Sequence, residues 1–140
     1  MTPAQRQAFL RLSPYDRDHL FCVYDTLRSD GLGDPDLLVA GLMHDIGKHQ
    51  EWSHVRFLDR VAKVVLGRLA PLFLESLALP PAEGWRSGLV LADHHPAIGA
   101  AIASSIGCGE MTCWLIEHHE DVDDHGSDHP KSLQHSDSVC

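Results

Sequence analysis

With 140 residues, 44% of them hydrophobic, the chain is sized for one domain around one core and is too apolar for wholesale disorder. Its formal charge of −9 argues against a nucleic-acid backbone or an anionic membrane as partner, and no apolar run approaches the roughly 18 residues of a membrane span. The opening residues, Met1 to Gln7, lack the layout of a signal peptide, so a cytoplasmic location is the default expectation.

In chain order, residues 1–12 carry no motif and are read as an N-terminal extension. Ser13-Pro14-Tyr15-Asp16 is a helix start, with Ser13 as cap and Pro14 in the first turn. The helix runs to about Ser29 and stops near Gly31; Leu20, Val23, Tyr24 and Leu27 form its inward stripe, which His19 shares. Asp34-Pro35-Asp36 repeats the start signal. The stretch Leu37 to Met43 is apolar on every side, as in the middle of a bundle, and it ends in His44-Asp45-Ile46-Gly47-Lys48, with Gly47 as the stop. Polar groups at the end of so apolar a helix are expensive to bury without partners.

Ser53 caps a third predicted helix carrying Val55, Leu58, Val61, Val65 and Leu69 inward, interrupted by Pro71. Leu72 to Leu79 add a short helix, and Pro80-Pro81 marks a connection. Further helices are expected over 83–93, 96–106 and 110–119. Residues 120–130 read as an acidic loop, and Pro130 opens a last short helix. No segment alternates with period two. The prediction is an all-α, single-domain helical bundle over residues 1–140. The cysteines, Cys22, Cys108, Cys113 and Cys140, form no C-x-x-C pair and are expected to be reduced thiols.

Eleven histidines equal the count of Lys plus Arg, where average usage gives roughly three. Histidine is the commonest metal ligand and a common acid/base near neutral pH. Five places put His or Asp at element ends or inward faces: His19, His44-Asp45, His94-His95, His118-His119 and Asp137. Ligands from facing helices can converge in a bundle interior. Each position also has a bland reading. A lone His19 is more often a core or cap histidine, and His44-Asp45 could be a hydrogen-bonded cap. Adjacent histidines rarely both face inward; His95 is preferred over His94, and His118 narrowly over His119. Asp121, Asp123, Asp124 and Asp128 read as a solvated acidic loop. His49, His54, His125, His129 and His135 read as surface residues, and Trp52, Trp85 and Trp114 as packing anchors.

Leu42-Met43-His44-Asp45-Ile46-Gly47-Lys48 resembles the signature of the HD superfamily of metal-dependent phosphohydrolases, an apolar helix ending in His-Asp-x-x-Lys. Asp16-Arg17-Asp18-His19 is similar to that family's first histidine segment, and His95-Pro96-Ala97-Ile98-Gly99-Ala100 to its His-Pro-x-x-Gly-Ala segment. Leu115-Ile116-Glu117-His118-His119-Glu120 resembles the next segment, and Leu133-Gln134-His135-Ser136-Asp137 the closing Leu-x-x-Ala-Asp, with Ser136 in place of Ala. The Gly-Tyr-Pro segment of the family's cyclic-di-GMP phosphodiesterases does not follow Glu120, so that activity is not implied.

The resemblance implies an HD-domain, phosphodiesterase-like fold and one or two divalent ions, of Fe, Mn, Zn, Co or Mg. Asp45 would bridge, with His19, His44 and Asp137 on one ion and His95 and His118 on the other; His119 joins where a third ion binds. It implies hydrolysis of a phosphate ester or anhydride of a nucleotide or other small molecule, with Asp45 and Lys48 catalytic and Lys48 and Arg17 holding phosphate. A di-iron oxygenase and a catalytically silent ligand-binding module are the alternatives. The sequence gives no indication of oligomeric state.

Overall fold

The computed structural model describes residues 1–50, 53–81, 84–121 and 128–140. The elements run α1 (Pro3–Leu10), α2 (Pro14–Ser29), α3 (Pro35–Met43), β1 (His49–Gln50), β2 (Ser53–His54), α4 (Phe57–Leu69) and α5 (Pro71–Leu77). There follow α6 (Ser87–Ser105), α7 (Glu110–Glu117) and α8 (Asp128–Val139), so the described chain is helical apart from one small hairpin. No helix among the described residues is long and apolar enough to cross a membrane. Trp52, Asp123, Asp124 and His125 lie outside the described residues. The chain divides into two compact units, Met1–Gly47 with Pro96–Cys140, and Lys48–His95.

In the first unit, residues read as an extension form a helix. Thr2 accepts from the Gln5 amide and the Gln5 side chain accepts from the Thr2 amide at 2.7 Å, a capping box completed by Pro3 in the first turn. The signal, Thr-Pro-x-Gln, was present but short. Ser13 and Asp34 cap α2 and α3 as expected, accepting from the amides of Asp16 and Leu37 at 3.1 and 3.0 Å. Gly31 and Gly107, both at φ +80°, take the left-handed turn that follows α2 and α6. Gly47 does not play that part. Helix α3 ends at Met43 with His44 as its cap residue, and a tight turn over Ile46–Lys48 follows, in which Gly47 is buried.

The core is built from Leu20, Val23 and Leu27 of α2, Leu37, Ala40 and Met43 of α3, and Leu115, Ile116 and Leu133 from the C-terminal half. Helix α3 packs against α2, α7 and α8, which is why it is apolar all round. The Thr112 hydroxyl donates to the Asp36 carboxylate at 2.6 Å and ties the start of α7 to α3. Cys22 and Cys140 are joined in a disulfide with Cα atoms 5.8 Å apart, which overturns the expectation of four reduced thiols. Cys108 and Cys113 remain free, and burial pushes both thiols up from their ordinary range.

The second unit departs furthest from expectation. Ser53 does not cap a helix; it sits in β2, where Gln50 pairs with Ser53 and His49 with His54 in an antiparallel hairpin too short to leave a period-two pattern. Helix α4 instead begins after Arg56, whose guanidinium grips the Asp59 carboxylate at 2.9 and 3.0 Å and the Trp85 carbonyl at 3.1 Å. Leu58, Val61, Val65 and Leu69, expected inward, are exposed, as is Trp85 at 67%. Val55 is buried as expected, and Leu74, Ala78 and Leu89 to Ala92 take the place of the others.

Two helices were expected over 83–93 and 96–106, because proline breaks a helix by removing a donor. One helix, α6, runs through Pro96 instead. The carbonyl that Pro96 cannot serve is that of Ala92, four residues earlier. It accepts from the Lys63 ammonium at 2.9 Å and from the His95 ring at 2.9 Å, so the missing backbone donor is replaced twice.

Candidate metal centre

Within the first unit, side chains from four places in the chain meet at the C-terminal end of α3. His44 is fully buried, and its Nδ1 donates to the Gly41 carbonyl three residues back at 3.1 Å. His119, just past α7, repeats the device: it is buried, and Nδ1 donates to the Ile116 carbonyl at 2.6 Å. Each anchor fixes the tautomer and turns Nε2 inward, as metal-ligating histidines are commonly held by a partner on the other nitrogen. Asp45, 1% exposed, places Oδ1 3.7 Å from His44 Nε2 and 4.0 Å from His119 Nε2.

Asp137 on α8 and His19 on α2 close the other side. Asp137 Oδ1 lies 2.8 Å from His19 Nε2 and 3.2 Å from His44 Nε2. The His44 ring centre is 5.7 Å from that of His19 and 4.9 Å from that of His119. Burial alone would raise the Asp137 carboxyl, but hydrogen bonds from His19 and His44 outweigh it and hold the group well below the usual carboxylate range. Ser136, beside Asp137, is buried, and its hydroxyl has no hydrogen-bond partner among the described residues. Gly99 lets α6 approach this corner: a Cβ there would stand 3.2 Å from Ile116 Cγ2 and 3.4 Å from the His44 carbonyl oxygen.

The donor set fits a cation. Ligand atoms of His19, His44 and Asp45 lie within 4.8 Å of one another. With Nδ1 of His44 and His119 committed to backbone carbonyls, a neutral ring offers a lone pair at Nε2, and both lone pairs face carboxylate oxygen. Lone pairs and anionic oxygens converging in a buried space require a proton or a metal ion among them. Imidazole with carboxylate suits iron, manganese, zinc or cobalt, and the carboxylates suit magnesium or manganese.

Of the residues singled out in the sequence, His19, His44, Asp45, His119 and Asp137 come together. His118 does not join them: its Nδ1 is 2.6 Å from the Asp121 carboxylate and its ring centre 4.9 Å from that of Trp114. Of the two, it is His119 and not the narrowly preferred His118 that lies against Asp45 and His44. Helix α7 stops at Glu117, so both histidines sit in a turn where a helical wheel no longer applies. Arg17 lies on the side of α2 that faces α1, about 200° around the helix from His19. In the second unit, His95 is buried with Nδ1 on Ala92, and His94 is turned to the Ala78 carbonyl at 3.0 Å. Lys48 is half-buried there, and its carbonyl accepts from the Val55 amide at 3.0 Å. Sequence reasoning missed the anchoring carbonyls of Gly41 and Ile116, since backbone acceptors carry no residue signature.

No protein-family model, curated protein or solved structure matches the chain.

Proposed function

We propose that the chain is a metal-dependent phosphohydrolase of the HD type, acting on a phosphate ester or anhydride of a nucleotide or other small molecule. The observation that supports it most is the meeting of His19, His44, Asp45, His119 and Asp137 in one buried corner, with two of the rings anchored through Nδ1. These residues are proposed to hold the metal, His44 and Asp45 from the end of α3 and the others from the surrounding helices. A divalent ion bound there supplies a Lewis acid for phosphate oxygens and lowers the pKa of attacking water. The chain's own part is to aim Nε2 of His44 and His119 at the centre through their carbonyl anchors, where a bound metal would take the place of any proton on Nε2, and without metal to hold Asp137 ionised through His19 and His44. Lys48, three residues after Asp45, is proposed to steady the phosphate. The sequence resemblance adds His95 as a ligand of a second ion.

The test is metal analysis of protein purified without chelator, joined to phosphate release from a panel of nucleotides and small phosphate esters, with and without dioxygen. Asp45→Ala is expected to lose most of the metal while helical circular dichroism stays nearly intact. Lys48→Ala is expected to keep the metal and lose on the order of a few kcal/mol of transition-state stabilisation. Full metal occupancy in Asp45→Ala overturns the proposed centre. An absolute requirement for both iron and dioxygen overturns the hydrolase reading in favour of an oxygenase, and a metal-loaded protein inert on every substrate class favours a silent binding module.

A further inference from the structure

A cavity of about 420 Å³ opens between α1, the first turns of α2 and Leu42 near the end of α3, on the side of α2 away from His19. Its volume lies at the lower part of the range for small-molecule sites. Phe9, Leu10, Phe21 and Leu42 give it apolar walls, with the rings of Phe9 and Phe21 edge to face at 5.1 Å. Leu10 and Phe21 are each 51% exposed and line the same depression.

The polar lining has a definite sign. Arg6 and Arg17 stand against one carboxylate, Asp18, in a chain whose overall charge is −9. Arg6 and Arg17 both line the cavity, and guanidinium matches carboxylate and phosphate geometry, so an anionic head is the polar group that this lining favours.

From these observations we infer that this cavity is a binding site for a small amphiphilic anion, a molecule with an apolar tail and a single carboxylate or phosphate head. The tail lies along Phe9, Leu10, Phe21 and Leu42, and the head meets Arg17 with Arg6 beside it. The site is separate from the metal centre and does not depend on the function proposed for that centre. Its occupant is the free monomer: the cavity admits one tail, and a chain charged −9 is repelled by an anionic bilayer.

The test is calorimetric titration of the whole protein with decanoate, with decyl phosphate and with neutral decanol, all below their aggregation thresholds, and with vesicles containing phosphatidylglycerol. Saturable binding of decanoate or decyl phosphate at one site per chain is expected, at least tenfold tighter than decanol. Arg17→Gln is expected to remove that tenfold advantage without weakening decanol, and Leu10→Asp to weaken all three. Arg6→Gln, at an exposed position, is expected to act in the direction of Arg17→Gln and keeps the test decisive if the latter does not fold. Equal affinity for decanol and decanoate, no binding of either anion, or binding to the vesicles alone would overturn the inference.

Discussion

His118 and His119 are neighbours in sequence with opposite fates. The ring of His119 is turned inward by the Ile116 carbonyl, and the ring of His118 is held outward by Asp121. The Asp121 carbonyl in turn accepts from the Gln134 side chain at 2.6 Å, so the turn is braced from α8. At this scale His119→Ala is expected to weaken metal binding by about tenfold or more, as ligand-sphere changes commonly do. His118→Ala is expected to leave metal content near wild type. Metal titration of the two purified variants checks this, and the reverse order would reassign the ligand. The sequence showed that one of the pair would face inward and could not show which, because the deciding partners are a backbone carbonyl and an aspartate in an irregular turn. Ser136 reads differently: the departure from alanine was visible in sequence, and the structure gives its cost as a buried hydroxyl with no described partner.

Among the elements, α2 was legible because its cap, stop and inward stripe agreed with one another, and α3 because the cap at Asp34 precedes a run that is apolar on every side. Helix α4 was misread because its most apolar stripe is not its buried face. What fixes it is polar: Asp59, 6% exposed, lies beneath Arg56 and against Gly88, where a Cβ would collide with the carboxylate. Burial raises the Asp59 carboxyl, but the Arg56 guanidinium and the Arg56 amide outweigh that and bring it below its ordinary value. A carboxyl whose folded pKa is depressed contributes stability above its unfolded pKa and loses it as pH falls through the folded value. Asp59→Asn is therefore expected to be less stable than wild type at neutral pH. The gap should close with acidification below the ordinary carboxylate range. Urea midpoints measured against pH for the two proteins check the sign; a constant gap would mean that the charge of Asp59 contributes nothing. Helix α6 shows the same principle in another form, since its continuity through Pro96 depends on Lys63 and His95, donors that no propensity scale for residues 87–105 contains.

For the whole molecule, the helical class was readable from periodicity, whereas the grouping of His19, His44 and Asp137 came from the family resemblance and not from their positions alone. The division into two compact units was not readable, because the boundary after His95 falls inside a continuous helix. The disulfide was not readable either, since Cys22 and Cys140 are 118 residues apart and carry no spacing motif. It joins the helix of His19 to the end of the helix of Asp137. Reduction is expected to destabilise the fold by roughly 2–5 kcal/mol, mainly by freeing the unfolded chain, and to lower metal affinity by loosening α8. Thermal melts and metal titration with and without reductant check both outcomes. Unchanged metal affinity after reduction would show that α8 is held by packing alone.

The Cys22–Cys140 bond has a topological corollary. Residues 22 to 140 form a covalent ring, to which the segment ending at Phe21 is attached as a tail. A single backbone cut within the ring opens it without releasing a fragment, whereas a cut in the tail leaves a piece that no covalent bond holds. A protein nicked inside the ring keeps its full mass on a non-reducing gel and separates into two bands only when the thiols are freed. His19 lies on the tail side of Cys22, while His44, Asp45, His119 and Asp137 all lie on the ring. A nick in the ring thus leaves those four side chains in one covalent molecule, and a cut between His19 and Cys22 leaves His19 joined to them by packing alone.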